Sequence, residues 1–362
     1  MDLERLYSSL YRYRMFLYRV FGKPVDGILP KGSVCALEDP TPAITHGDVL
    51  HPCVRYIKDG FEGHKWWMVY TPFYGFKDAL ENPRLCYSDG FGEGWQFYCE
   101  VIGKPQTGFN SDPTLLFHEG KLYVFFRENY TGYTKSLGCS RVTRGCYVKD
   151  RKVYFLTEPQ LIEKRRNIDT EVCPAFTASE KGARAYAFHI RFCSKIMYSL
   201  PKFLSTALHR LLGLLKELCI YDRIKCRGVA IWEADSLEDR FSYKKTVKLQ
   251  GCGLFTHPWH FDIFEAPVPG GNDSLFAVIQ TDDKHADIRL AQSDDGEHFR
   301  LYKKPLITSE SICMKGIYKP TALVVDGRFM LYYTARDNND RSLNRLYVTG
   351  EDWATLLQTL QS

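Results

Sequence analysis

The chain has 362 residues, 48 Lys+Arg against 43 Asp+Glu for a formal charge of +5, and 14% aromatic residues including 23 Tyr and 23 Phe. So mild a charge, with no polybasic tail, gives no electrostatic case for a nucleic-acid partner. The 12 Cys lack the two-residue pairing of a zinc ribbon, and several stand within apolar runs, where Cys acts as a small buried side chain.

Leu3, Leu6, Tyr7, Leu10, Phe16, Leu17 and Val20 fall near one helical face, which predicts an amphipathic helix ended by Gly22-Lys-Pro24. The acidic start and the interruptions at Arg12, Arg14 and Arg19 do not make a signal core, so a reduced, cytoplasmic protein is expected. Pro and Gly over residues 24–42 predict an irregular surface arm. Residues 1–45 are thus read as helix and arm, and 46–362 as the main domain.

That domain repeats one sentence five times. Asn110-Ser-Asp-Pro-Thr-Leu-Leu-Phe-His-Glu-Gly-Lys-Leu-Tyr-Val-Phe-Phe-Arg-Glu-Asn129 reads as two strands joined by a tight turn. Similar units surround Pro52, Pro174, Pro258 and Pro320, at successive intervals, counting Pro113, of 61, 61, 84 and 62 residues. A fixed period with about four strands per unit defines propeller blades. The expectation is an all-β, five-bladed β-propeller. The long interval predicts an insertion in blade three over about 196–222, with Ser199 as N-cap and Leu204, Leu208, Leu211, Leu212, Leu215 and Leu218 on one helical face. This helix and the N-terminal one are expected to pack on the propeller or to meet a second copy or a membrane surface. Blade five shows only three strands before a helical run at Trp353–Leu360, so Ser33-Val-Cys-Ala-Leu37 is the candidate to complete it.

Strands that begin at the channel converge on one face, and second strands end there. Blade one brings Asp48 and His51, blade two Asp112, blade three Glu171, blade four His257, His260 and Asp262, and blade five Tyr318 and Lys319. Second-strand ends add Arg127, Glu128, Arg191 and Arg336. Carboxylates and His around a funnel suit acid and base work on a glycosidic bond, where one group protonates the leaving oxygen and another activates water. An Asp before Pro also opens strands for backbone reasons alone. At a wet channel mouth, Asp112 is expected to tolerate neutralisation without loss of stability. Trp66, Trp67 and Trp259 are candidate stacking surfaces for sugar rings, and Arg127, Arg191, Arg336 and Lys319 favour an anionic glycan.

The repeats, the Ser111-Asp-Pro113 opening and the Ser-Asp-Gly hairpins resemble the five-bladed propeller glycosidases of glycoside hydrolase family 43, over roughly residues 46–349. The resemblance implies an Asp base from blade one, a pKa-tuning Asp from blade two and a Glu acid from blade three, with no cofactor expected and no metal-ligating residues assigned, although some relatives hold a channel cation and spacing gives no support for one near His260. Asp112 matches the second role. Glu171 lies three positions before Pro174 where the family has two, and His51 occupies the place of the first Asp. The base then falls to Asp48 or Asp262, or proton transfer to the run His257-Pro-Trp-His260, with His51, Arg127, Glu128, Trp259, His257, Tyr318, Lys319 and Arg336 as substrate contacts. The alternative is a propeller that binds glycan, or assembles polysaccharide, without cutting.

Overall fold

A computed structural model describes residues 26–40, 48–73, 77–137, 139, 141–163, 169–170, 174–190, 226–252, 258–281, 287–309, 311–337 and 344–362. Five antiparallel meanders follow one another as blades. Their inner strands are Val49–Phe61, Phe109–His118, Ala175–Ser179, Pro258–Pro267 and Met314–Val325, each hydrogen-bonded to the strand that follows it. The expected N-terminal helix and the helix of the blade-three insertion lie outside the described residues.

Side-chain alternation along the strands makes the ring. In the second strand of blade two, Leu122, Val124 and Phe126 enter the apolar cluster shared with blade one, whereas Tyr123 and Phe125 enter the cluster shared with blade three. Period two therefore sends successive residues to opposite blade faces. Five such clusters occupy the five interfaces, and the one between blades four and five also takes in the C-terminal helix Trp353–Gln361 through Trp353, Leu356, Leu357 and Leu360. Asp352 caps that helix, accepting from the Thr355 N–H at 2.9 Å. Trp66 and Trp67 belong to these interfaces, at 5% and 0% exposure, and not to a sugar-facing surface. Two adjacent residues on one strand face opposite blades, so both are spent on packing.

The N-terminal arm closes the ring. Ser33–Val34 pairs antiparallel with Asn344–Asp352, giving blade five its fourth strand, and Ala36–Glu38 then runs parallel to Gly94–Glu100 at the outer edge of blade one. Gly32 makes the approach: its φ is +76°, and a Cβ there would lie 2.0 Å from the Val348 carbonyl oxygen. Beyond the arm, Asp39 accepts from Arg84 Nε at 2.7 Å and Nη2 at 3.0 Å, and from the Tyr70 hydroxyl.

Candidate functional site

Among the described residues, four of the five inner strands break register at the channel. In blade one, His51-Pro52 stands opposite Tyr70 alone; in blade two, Asp112-Pro113 opposes Phe126; in blade four, Trp259-His260 opposes Gln280; in blade five, Lys319-Pro320 opposes Tyr333. Two residues against one is a β-bulge, which bends the strand and re-aims a side chain. Proline explains three of them, since it has no N–H to give the ladder. In blade four the repeat proline, Pro258, sits two places early, and His260 occupies the position that Pro52, Pro113 and Pro320 hold elsewhere. The strict proline spacing thus misplaced blade four by two residues.

These bulges assemble a buried cluster. His51 Nε2 is 3.1 Å from Asp112 Oδ1, and His260 Nδ1 is 3.9 Å from the same oxygen. Arg127 Nη1 donates to Asp112 Oδ2 at 2.8 Å. The other ring nitrogen of His51 lies 3.0 Å from the Thr71 hydroxyl and 3.2 Å from Glu81 Oε2. Thr71 gives its own hydrogen to the Leu50 carbonyl at 3.4 Å, leaving a lone pair for His51 Nδ1–H. Tyr318 borders both imidazoles, with ring centroids 4.4 Å from His260 and 5.4 Å from His51, and Trp259 meets His260 edge-on at 5.9 Å. Tyr318, Trp259 and Arg336 are half-buried, while His51, Asp112 and His260 are buried.

Burial and charge divide the titrating groups. Burial works against an ionised Asp112, yet His51 and Arg127 outweigh it and hold the carboxyl well below its ordinary range. Burial likewise opposes charging His51, but Asp112 and Glu81 prevail and raise its pKa. His260 goes the other way: burial dominates, Asp112 offsets it only in part, and the imidazole stays neutral well below the usual value. Burial raises Glu81, with His51 opposing. Both nitrogens of neutral His260 have no hydrogen-bond partner, and Asp112 Oδ1 meets His51 Nε2 at 3.1 Å. His51, Asp112 and His260 each offer a ligand atom within 4.8 Å of the others, a donor set that fits a cation.

Other expected site residues have different employment. Asp262 is fully buried, bonded by Arg55 Nη1 at 2.7 Å and Nη2 at 2.8 Å and by the Thr321 hydroxyl at 2.5 Å. It joins blades one, four and five inside the channel instead of acting as a base at the mouth. Asp48 accepts from the Asn344 N–H at 3.0 Å and its Nδ2 at 2.9 Å, tying blade one to blade five. Glu128 takes Arg144 Nε at 2.8 Å and the Thr131 hydroxyl beside the short helix Gly132–Ser136. Lys319 is buried and donates from Nζ to the Phe261 carbonyl at 3.0 Å. Of the cations expected to favour an anionic glycan, Arg127 and Lys319 therefore serve the interior, and Arg336 is half-buried. Glu171, His257 and Arg191 lie outside the described residues. Glu81, Thr71 and Arg55 escaped the sequence reading. Glu81 follows the 3-10 turn Asp78–Leu80, on the connection from second to third strand, and that connection also reaches the channel face.

No family model and no curated protein matches this chain. Among solved structures it is similar to an N-acetylgalactosamine deacetylase from F. plautii, in complex with blood group B trisaccharide, at a TM-score of 0.62 and 14% identity over 91% of this chain and 96% of that one. It is also similar to an alpha-L-arabinanase mutant from Cellvibrio cellulosa, at 0.51 and 12% over 83% and 90%, and to a family 43 endo-arabinanase from Bacillus licheniformis, at 0.51 and 10% over 87% and 96%. The fold is the five-bladed propeller of these enzymes, as the repeats led us to expect.

Proposed function

We propose that this chain is a carbohydrate-active hydrolase that removes an acyl group from a sugar, with a divalent cation held by His51, Asp112 and His260. The observation that carries the reading is His260, 2% exposed, with both ring nitrogens lacking a hydrogen-bond partner, 3.9 Å from the Asp112 oxygen that His51 Nε2 also faces. Leaving such groups unsatisfied costs about 1–3 kcal/mol each, and an ion bound at the unprotonated nitrogen removes that cost for the acceptor, the N–H of the other nitrogen still needing a partner. The solved deacetylase supports the choice of bond through its shared fold.

A divalent ion in this place supplies Lewis acidity toward a carbonyl and acidifies water. The chain's residues supply the remainder. Arg127 keeps Asp112 ionised. Glu81 and Thr71 engage His51 Nδ1 and so turn Nε2 inward, the role of an outer partner that fixes a ligating imidazole. Glu81, raised by burial, is placed to hold a proton through His51. Tyr318 and Trp259 offer half-buried rings to a sugar face.

Charge bookkeeping favours acyl transfer. The carboxylates Asp112 and Asp262 face Arg127, Lys319 and Arg55, and burial pushes Glu81 toward its neutral form, so with neutral imidazoles an added divalent ion leaves this set of groups positive. That field suits the oxyanion of acyl transfer. It opposes the oxocarbenium-like transition state of glycoside cleavage.

The second reading, a family 43-like glycoside hydrolase, rests on Asp112 in the blade-two place and needs Glu171 as acid. One experiment separates the two. Purified protein with Zn2+ or Mn2+ is given N- and O-acetylated oligosaccharides, arabinan and xylan, and released acetate and new reducing ends are counted. Acetate without reducing ends is the expected result. Reducing ends without acetate would transfer the assignment to glycoside hydrolysis, and glycan binding with neither product to a binding module.

A further inference from the structure

The three bulges built on a proline share a backbone oddity. His51, Asp112 and Lys319 have φ of 53°, 50° and 37°, in the left-handed region, and each immediately precedes a proline. Non-glycine residues avoid that region, and the residue before proline is pressed toward extended backbone. The strain therefore persists only where the surroundings impose it. It falls on two of the three residues of the donor set.

Pro52 and Pro113 are what prevents relief. Residues on either side of each bulge are locked by packing: Leu50 and Cys53 in blade one, and Ser111 and Thr114 in blade two, are buried. The strand cannot slip as a whole, so only the bulge itself can relax, by offering an N–H at the second bulge position to the ladder. Proline has none to offer. In a regular pairing, period two would turn the preceding side chain away from the channel.

We propose that Pro52 and Pro113 are positioning residues of the cation site: by forbidding ladder pairing they hold His51 and Asp112 in the left-handed turn that aims both at one point. This rests on the reading of that cluster as a cation site. Pro320 provides the comparison, because it makes the same bulge under Lys319, which lies outside the donor set.

The test is isothermal titration of the full chain with Zn2+, beside thermal unfolding without metal, for wild type, Pro52→Ala, Pro113→Ala and Pro320→Ala. Pro52→Ala and Pro113→Ala should each weaken Zn2+ binding about tenfold or more, in the range of lost outer support at metal sites. Pro320→Ala should shift the unfolding temperature comparably and Zn2+ affinity less than twofold. The Co2+ absorption spectrum should change band shape for the first two variants alone. Unchanged affinity in both variants that fold, with a wild type that binds, overturns the inference while leaving the cation site intact. Equal weakening in Pro320→Ala overturns it too, as a general loss of rigidity. A wild type that takes up no Zn2+ removes the cation reading, and this inference with it.

Discussion

Asp112 shows how burial changes what a single residue means. From its place before Pro113 it reads as a strand-opening carboxylate at a wet mouth, tolerant of neutralisation. In the fold it is buried at 7% exposure and is the common partner of Arg127 and His51. Asp112→Asn should therefore lower stability by about 3–5 kcal/mol, because it leaves buried cations uncompensated; urea unfolding measures this, and a change under 1 kcal/mol would contradict it. Glu81→Gln should behave differently. It keeps a hydrogen-bond acceptor for His51, so the fold should survive while divalent-ion affinity falls about 10–100-fold, read by titration calorimetry. The places of His51, Asp112 and His260 at the channel were legible because the repeat marks where inner strands begin, whereas the burial of Lys319 was not. Glu81 was not, since only three-dimensional pairing shows that a second connection of blade one returns to the same face.

Among the elements, the inner strands carry most of the charge buried in the channel. Arg55 and Asp262 join strands on blades one and four, and Thr321 brings in blade five. Asp262 is lowered, with burial opposing and Arg55 prevailing. A carboxyl depressed in the folded state adds stability above its unfolded pKa of about 3.9, and loses it as pH falls through the lower folded value. The stability gap between wild type and Asp262→Asn should thus be constant near neutrality and close in acid below about pH 4. Replacing both partners, as in Arg55→Met with Asp262→Leu, should cost much less than Asp262→Asn alone, since no lone charge remains buried. Chemical denaturation across pH tests both statements. Strand order and hairpins were plain in the sequence from alternation and Gly turns, but Arg55 and Asp262 sit 207 residues apart, and no local pattern links them.

At the scale of the whole molecule, the five blades and the 84-residue interval were readable, and the reason the long interval is tolerated comes from register. Ile190 and Cys226 are direct partners across blade three, so the intervening chain leaves and re-enters the sheet at one point. Replacing residues 192–224 by a two-residue turn should keep the propeller folded, with the unfolding temperature within a few degrees of wild type; loss of cooperative melting would show that the segment is part of the core. The ring's other junction is of a different kind. Blades two to four draw on no strand of the N-terminal arm, whereas blade five is completed by the two residues Ser33–Val34, and the arm runs on along blade one as Ala36–Glu38, anchored by Asp39 on Arg84. A circle so fastened has a seam, and the seam fixes where it comes apart. Amide hydrogens of Asn344–Asp352 should exchange with solvent before those of the second strands of blades one, two and four, and Asp39→Ala should speed that exchange first, leaving the far side of the circle as slow as before. The same seam holds blade one, with His51, against blade five, with Lys319. Opening it by heat or by mutation would spread the circumference, and the donors that meet at Asp112 would be drawn apart before any single blade had melted.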